Sequence, residues 1–442
     1  MTWLILVVGA FLIAELTPAL LRLPLGADEI TYIARTSVRV SGVALPPVHG
    51  QGAGLLAAPV TLLTDSLLAI RIWMSVLSAG GLFLSLLAWR GLRQMWVIAV
   101  AGLVLASLAI TQDSGVQIYP DWWGALGVLA LTALFLHAVG GTMRPRVVLP
   151  LIAIASLVIV LMRPQNIVFI MGPAIIAAVA VRRWRSPRVL AAMGAGIALG
   201  LLQWVIGAYI WYGGLANRIH QAGQEPPAFR LYFSLVTQAK VLSGPWYCVP
   251  PGGCHGWVMP AESVWWIAFL GVAILGVCVT WRTSARASAV LAAGTAIWVI
   301  ALYSFLVPFG APRYILPSLA LMSILAADAI AWLVTKARWR RAGVAFAGVF
   351  LLSGLISQRV VLQHEAAAEK AERPFVSIAA EMRSEGLRPP CALGSPSVAY
   401  YVGCTAPWTG ESMRELLQNT PQGVRGWRVE ELPDGSYVHV RQ

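Results

Sequence analysis

Apolar runs of about 20 residues recur along most of this chain, and they limit its possible folds more than any other feature. A helix of that length crosses a hydrocarbon core of about 30 Å. Backbone groups inside lipid must be hydrogen-bonded within the segment, so such runs have to be helices. Only 12% of the 442 residues are charged, whereas soluble domains have about 25%. The sequence therefore predicts an all-α, polytopic membrane protein.

The runs predict about eleven transmembrane helices within a membrane domain of residues 1–360. Their approximate limits are 2–22, 66–89, 95–112, 122–141, 147–162, 165–181, 188–212, 263–281, 287–307, 313–335 and 342–360. The apolar region 147–181 is too long for one crossing at about 1.5 Å per residue. Pro164 and Asn166 predict a turn that divides it.

Basic residues cluster in every second gap between the runs. The clusters are Arg90 and Arg93; Arg144 and Arg146; Arg182, Arg183, Arg185 and Arg188; Arg282 and Arg286; and Lys336, Arg338, Arg340 and Arg341. Cytoplasmic loops carry such an excess, so the net charge of +13 indicates topology and anionic lipid headgroups rather than nucleic acid. We expect a cytoplasmic N-terminus and an extracytoplasmic C-terminus, with outer loops at about 23–65, 113–121 and 213–262. Arginine outnumbers lysine 29 to 3, which favours a GC-rich bacterial source and hence a bacterial plasma (inner) membrane.

Residues 361–442 differ in character, because they hold ten of the nineteen acidic residues of the chain. Apolar residues at helical spacing predict a helix over 375–382, and 411–418 suggests a second one. Residues 428–430 and 437–440 flank a turn sequence and predict a hairpin. We expect a small extracytoplasmic α/β cap domain.

Four of the five cysteines lie in two pairs on the predicted outer side. Cys248 and Cys254 share one loop, and Cys391 and Cys404 share the tail. Disulfides form in oxidising compartments, so we expect a Cys248–Cys254 and a Cys391–Cys404 bond. This inference agrees with the topology and does not use the charge pattern.

The acids of the membrane domain all avoid the predicted cytoplasmic loops. They are Glu15, Asp28, Glu29, Asp65, Asp113, Asp121, Glu225, Glu262 and Asp328. Asp28 and Glu29 directly follow the first span, where one carboxylate can act as a general base while the other binds a sugar hydroxyl, a metal or a cation. A solvated loop or a helix cap is the alternative. Asp121, in Tyr119-Pro-Asp-Trp-Trp123, enters the fourth span, where a helix start beside interfacial tryptophans is the stronger explanation when this motif is taken alone.

Two arginines on the predicted outer side run against the topological bias. Arg313 begins the tenth span, and Arg163 lies in an outer turn beside Pro164. A guanidinium binds phosphate through paired donors, although snorkelling towards the interface is the alternative. His49, in Pro46-Pro-Val-His-Gly50, is a candidate ligand or proton carrier, but a lone histidine is more often neither.

In their order and common side, these motifs resemble those of the GT-C glycosyltransferases, including the protein O-mannosyltransferase and aminoarabinose transferase groups. The resemblance covers roughly residues 1–335. It rests on Asp28-Glu29-x-x-Tyr32, Pro46-Pro-x-His49-Gly50, Tyr119-Pro-Asp121, Arg163-Pro164 and Arg313-Tyr314-Ile-Leu-Pro317.

The resemblance implies inverting transfer of a sugar from a polyprenyl-phosphate donor to a glycan, lipid or protein acceptor of the cell envelope. The resemblance implies that Asp28 is the general base and that Glu29 positions the acceptor or the sugar. It implies that Asp121 orients the acceptor or, with Asp28, holds a divalent metal ion. The implied donor-phosphate ligands are Arg313, Arg163 and Tyr314, and the implied sugar or acceptor ligands are Tyr32, His49 and Tyr119.

Three other functions stay open. The first is a transporter or flippase of a lipid-linked or anionic substrate, for which Asp65 and Asp328 are candidate residues. The second is an enzyme similar to O-antigen ligases or polymerases, which lack the acidic pair after the first span. The third is a non-catalytic scaffold for envelope assembly. The sequence names neither the sugar nor the acceptor.

Overall fold

The computed structural model describes residues 1–441 except 38–44, 225–230, 250–259, 337, 339, 385, 389–395, 405–426 and 432–436. The helices are α1 (Thr2–Glu15), α2 (Pro18–Leu21), α3 (Ala27–Ile33), α4 (Gly52–Thr61), α5 (Leu67–Leu87), α6 (Met95–Ser107), α7 (Ala109–Val116), α8 (Pro120–Gly140), α9 (Pro145–Met162), α10 (Asn166–Phe169), α11 (Gly172–Ala180), α12 (Pro187–Trp211), α13 (Leu215–Gln224), α14 (Leu235–Lys240), α15 (Pro260–Thr280), α16 (Arg286–Leu306), α17 (Leu316–Thr335), α18 (Arg340–Glu372), α19 (Phe375–Ser384) and α20 (Pro396–Val402). Three 3₁₀ turns, Arg182–Trp184, Val241–Ser243 and Pro312–Ile315, and two strands, β1 (Trp427–Glu431) and β2 (Tyr437–Arg441), complete the described elements.

Eight of the described helices are long and apolar enough to cross a membrane, so the chain is built as a multi-pass membrane protein. They are α5, α8, α9, α12, α15, α16, α17 and α18. The other three predicted spans are short or broken, and the exact number of crossings stays a prediction. α1 is a 14-residue helix, α6 and α7 meet at 78°, and the sixth predicted span is divided into α10 and α11.

Local chemistry explains two of these breaks. Pro18 disfavours helical backbone at Thr17, which is extended, and thereby separates α1 from α2. Pro173 has no N–H with which to continue the hydrogen bonds of α10, so α11 begins anew at Gly172. The sharp bend after α6 instead falls at Leu108, whose backbone is extended without a proline or glycine to announce it.

α8 and α17 form the centre of the bundle. The two pack against each other, α8 also packs against α5, α9 and α16, and α17 against α6, α15, α16 and α18. At one end of the bundle Asp328 of α17 accepts two hydrogen bonds from Arg93, at 2.6 and 2.8 Å. Arg93 also donates to the Ser288 hydroxyl. Asp328, a candidate for transport by sequence, is therefore fully engaged in a structural ion pair.

The apolar helix α4, Gly52–Thr61, has 10 residues and is too short to cross a membrane by itself. It packs against α3, α5 and α9. A Cβ atom added to Gly54 would lie 2.3 Å from the Tyr32 carbonyl oxygen, and one added to Gly50 would lie 2.3 Å from the Leu161 carbonyl oxygen. Glycine is therefore required where this segment touches the backbone of α3 and α9.

The last long helix of the predicted membrane domain continues into the tail. At about 1.5 Å per residue the 33 residues of α18 extend about 50 Å, and the helix runs through the predicted domain boundary at 360–361. The helix predicted at 375–382 is α19, and β1 pairs antiparallel with β2, with Trp427 opposite Arg441. The predicted helix 411–418, the hairpin turn, Cys254 and Cys391 lie outside the described residues, so the α/β domain as a unit and both disulfides stay predictions.

The close approach of α4 and α3 generates a stability prediction. We expect Gly54→Ala to cost about 1–3 kcal/mol, because the added methyl group forces two backbones apart. The measurement is thermal unfolding of the purified protein in detergent. Gly80→Ala is the matched control, since a Cβ at Gly80 meets no atom within 4 Å. Equal melting temperatures for the two variants would contradict the prediction.

Candidate active site

Two aspartates and two arginines from distant parts of the chain meet at one end of the bundle. The Arg313 Nη2 atom lies 3.0 Å from Asp28 Oδ2, and Arg313 Nε lies 3.9 Å from Asp121 Oδ2. The Arg163 Nη2 atom lies 3.3 Å from the same Asp121 oxygen. The residues alternate in sign as Asp28, Arg313, Asp121 and Arg163, and we call them the charged cluster. The four were all predicted as site residues, and the structure brings them together.

Helix ends position the members of the charged cluster. Pro120 is the first residue of α8 and places Asp121 in the first turn. Arg163 follows the last residue of α9 in extended backbone, and Arg313 lies in the 3₁₀ turn that leads into α17. Asp28 lies in the first turn of α3. Because all four residues lie at or next to helix ends, the charged cluster lies at one end of the bundle rather than halfway along it.

Exposure separates the two carboxylates. The Asp28 side chain is 49% exposed, whereas Asp121 is 4% exposed. Desolvation by the surrounding protein raises the pKa of the partly exposed Asp28 carboxyl, but the charges of Arg313 and Arg163 outweigh it, so the pKa lies below the ordinary value. Asp28 is therefore an accessible, ionised carboxylate at neutral pH, and Asp121 is the buried counter-ion of both arginines.

Tyrosine rings support the arginines from behind. The Arg313 guanidinium lies 4.3 Å from the centre of the Tyr119 ring. Tyr314 lies between the two arginines, 5.0 Å from Arg163 and 5.5 Å from Arg313, and stacks on Tyr303. These contacts use the guanidinium faces. The Nε atoms of Arg163 and Arg313 are buried and have no hydrogen-bond acceptor within the described part of the chain, so both can still donate to an anion.

Tyr32 and His49 form a second, aromatic part of the site. Their rings meet edge to face at 5.3 Å, and the Tyr32 hydroxyl and His49 Nδ1 are buried without hydrogen-bond partners among the described residues. Burial and the positive charge of Arg163 lower the pKa of His49 to about 3, so its ring is neutral. Arg218 donates to the Pro47 and His49 carbonyls and holds this loop.

Glu29 does not join the charged cluster. Its side chain is fully buried and accepts hydrogen bonds from the backbone N–H groups of Gly26 and Ile118, both at 2.9 Å, and from Arg71. Arg373 Nη1 adds a weaker contact at 3.4 Å. Burial raises the pKa of Glu29, but the charges of Arg71 and Arg373 outweigh it and hold the pKa below its usual value. Successive residues of a helix point about 100° apart. The adjacent carboxylates of Asp28 and Glu29 therefore contact different residues.

Arg71 and Arg373 are important residues that sequence reasoning missed. Arg71 lies in α5, is fully buried, and also donates to the Leu23 and Val116 carbonyls. Arg373 follows α18 and donates to the Pro24 carbonyl. It also binds two polar side chains, those of Gln117 and Glu369. We call Glu29, Arg71, Arg373, Gln117 and Glu369 the anchor network. An arginine within an apolar run, such as Arg71, is the sequence signal that could have revealed this network.

The described part of the third predicted outer loop pairs with the segment that precedes Arg313. The backbone N–H and C=O groups of Cys248 exchange hydrogen bonds with those of Gly310, at 3.0 and 2.8 Å. Gln238 donates to the Phe309 carbonyl. The described part of this loop therefore lies along the segment that leads to Arg313, a placement that no motif in the loop announced.

The donor set does not fit the divalent metal considered for Asp28 and Asp121. Both carboxylates already face guanidinium groups. Within the described ranges no three His, Cys, Asp or Glu side chains are grouped so that they could hold an ion. We therefore derive no step of the chemistry through a metal.

Comparison with known proteins places this geometry in a known fold. No protein-family model matches the chain, and neither does a curated protein sequence. Solved structures do match. ArnT (aminoarabinose transferase) from Cupriavidus metallidurans bound to undecaprenyl phosphate has a TM-score of 0.64 at 14% identity, covering 95% of this chain and 88% of that one. Its apo state has a TM-score of 0.61. The apo oligosaccharyltransferase of Archaeoglobus fulgidus has a TM-score of 0.54 at 12% identity, covering 92% of this chain and 64% of that one.

The chain therefore shares its fold with these structures, which are members of the GT-C superfamily. In this bundle the charged cluster draws its members from α3, α8, the α9–α10 turn and the start of α17, which are separated by as many as 285 residues. The aromatic residues Tyr32, His49, Tyr119 and Tyr314 surround them. All the predicted donor, sugar and acceptor residues thus lie at one end of the fold, and Glu29 alone among the predicted catalytic residues is directed elsewhere.

The contrast between the two neighbouring carboxylates generates a prediction. We expect Glu29→Gln to lower the free energy of unfolding by about 3–5 kcal/mol, because it leaves the buried Arg71 charge without its counter-ion. Asp28→Asn is the matched control, since it makes the same chemical change at an accessible position. Thermal unfolding of both variants in detergent measures the difference. A melting temperature for Glu29→Gln as high as that of Asp28→Asn would show that the anchor network is not required for stability.

Proposed function

We propose that this chain is a membrane glycosyltransferase that moves a sugar from a polyprenyl-phosphate donor to a hydroxyl group of a cell-envelope acceptor. The reaction takes place at the extracytoplasmic face of a bacterial plasma membrane, with the N-terminus in the cytoplasm and the tail outside. The observation that carries the proposal is the charged cluster, in which an accessible carboxylate lies beside two arginines with unused donors. Its position in a fold shared with ArnT, a structure bound to undecaprenyl phosphate, supports the choice of donor.

Asp28 is the general base of the proposed reaction. It is the only member of the charged cluster that is both acidic and accessible, and its lowered pKa keeps it ionised. The acceptor hydroxyl gives its proton to Asp28 while its oxygen attacks the anomeric carbon of the sugar. A carboxylate in hydrogen-bond reach of the nucleophile suits this role.

Arg313 and Arg163 stabilise the leaving group. As the bond between the anomeric carbon and the phosphate oxygen breaks, the electron pair stays on that oxygen, and the lipid phosphate gains one negative charge. The unpaired Nε donors of both arginines and the fork geometry of guanidinium groups suit three phosphate oxygens. Because the phosphate is a good leaving group, no general acid is required on that side.

The remaining residues prepare the site. Asp121 neutralises both arginines when no phosphate is present and holds them towards the same point. Tyr119 and Tyr314 restrict the guanidinium planes, which lowers the entropy lost on binding the phosphate. Tyr32 and His49 offer an unpaired hydroxyl and ring nitrogen, and we assign them to sugar or acceptor hydroxyls. A single in-line displacement inverts the anomeric configuration.

The base assignment predicts the behaviour of Asp28→Asn. This variant should fold normally but lose at least about 100-fold in transfer rate, because an amide cannot take the proton. The assay supplies purified protein with a polyprenyl-phospho-sugar and detects both released polyprenyl phosphate and the new glycosidic bond. Asp28→Glu, which restores a carboxylate, should recover part of the activity. Full activity in Asp28→Asn would exclude Asp28 as the base.

The phosphate assignment predicts a different pattern for Arg313. We expect Arg313→Gln to lower kcat/KM by about 100-fold or more, through loss of charge stabilisation on the departing phosphate. Arg313→Lys should be intermediate because it keeps the charge without the fork. Arg22→Gln, an exposed arginine outside the charged cluster, is the control. Donor binding and turnover unchanged in Arg313→Gln would reject the role.

A further inference from the structure

A second positively charged site lies at the end of the bundle opposite the charged cluster. There a cavity of about 510 Å³ opens between the 3₁₀ turn Arg182–Trp184 and the turn that joins α15 to α16. Its position follows from chain connectivity, because α16 begins at this cavity and ends seven residues before Arg313. At about 1.5 Å per residue, its 21 residues separate the two sites by about 30 Å.

Two arginines and two tryptophans form the cavity walls. The Arg286 guanidinium lies 4.3 Å from the Trp281 ring centre, and the Arg183 guanidinium lies 5.4 Å from that of Trp184. Thr283 and Ser284 add hydroxyl groups to the lining. The arginines are therefore held over aromatic faces, and their N–H edges remain available to a ligand.

No acidic residue of the described ranges balances the charge of these two arginines. Neither Arg183 nor Arg286 lies within ion-pair distance of a carboxylate in the described residues. The sequence itself has no aspartate or glutamate from residue 122 to 224 or from 263 to 327. Ala287, in the first turn of α16, also lines the cavity, so the positive end of that helix faces it. The ligand that fits is an anion.

The surroundings indicate that this anion belongs to a lipid. Trp281 is 47% exposed, as expected of an interfacial indole, and Val290, one turn further along α16, is 40% exposed and lines the cavity. α11 packs against α16, and Ile176 and Val179 of α11 and Ile297 of α16 are all exposed apolar residues. An apolar surface therefore extends from the cavity along the spans, where acyl chains can lie.

We propose that this cavity binds the phosphate headgroup of an anionic phospholipid, with Arg183 and Arg286 as its ligands and the lipid chains along α11 and α16. Two arginines match a phosphodiester through charge and paired donors. This site is separate from the proposed transfer reaction and stands whether or not that reaction is demonstrated, because its readout is lipid binding.

The test titrates the purified full-length protein with phosphatidylglycerol and with phosphatidylcholine and follows bound lipid by native mass spectrometry. We expect selective binding of phosphatidylglycerol, weakened about tenfold or more in R183Q/R286Q, since each interfacial arginine contributes to attraction of anionic lipid. R144Q/R341Q removes the same charge from positions that do not line the cavity and should change binding less than twofold.

Two further measurements keep the result decisive. Phosphatidylglycerol should raise the melting temperature of the wild type but not of R183Q/R286Q, and the single variants R183Q and R286Q should each show part of the effect. Equal loss of binding in both double variants would overturn the proposal, because it would indicate general charge attraction. Displacement of the lipid by millimolar inorganic phosphate would overturn it too, since the site would then select a free anion.

Discussion

The buried carboxylate of Glu29 is the interaction on which the site end of this protein depends. An ionised group without solvent is tolerated only when it is paired and hydrogen-bonded. Glu29 meets that condition through donors from the residue before α3, from α5, from the segment after α7 and from the residue that follows α18. Four parts of the chain are thereby fixed around one carboxylate. The orientation of α3, and with it the position of Asp28, follows from that fixation.

The anchor network and the charged cluster lie side by side. They differ in how many of their hydrogen-bond donors have an acceptor within the described protein. In the anchor network, the oxygens of Glu29 meet two arginines and two backbone N–H groups, and Gln117 bridges Asp113 and Arg373. In the charged cluster, donors remain unused on both arginines, and Asp28 is half exposed. Unused buried donors carry a desolvation cost unless a ligand meets them. That imbalance is the reason why we propose the charged cluster, rather than the anchor network, as the anion site.

Much of this arrangement could be predicted from residue type and position. Apolar run length located the eight described helices that are long enough to span a membrane, and the charge pattern of the predicted topology drew attention to Arg163 and Arg313. The direction of Glu29 could not be predicted, because it depends on Arg71 and Arg373, which are 42 and 344 residues away. The bend at Leu108 escaped prediction because no proline or glycine marks it. The ion pair of Asp328 could not be predicted either, because its partner Arg93 is 235 residues distant.

The long helix α18 links the elements around the charged cluster. The side chain of Glu365, in α18, accepts a hydrogen bond from the backbone N–H of Trp246. Trp246 lies two residues before Cys248, which pairs with Gly310. The residue after the end of α18, Arg373, contacts Glu29. The loop that pairs with the segment before Arg313 and the helix that carries Asp28 are therefore both held by α18 and the residue that follows it. The charged cluster therefore depends on contacts of α18, although none of its four members lies in that helix.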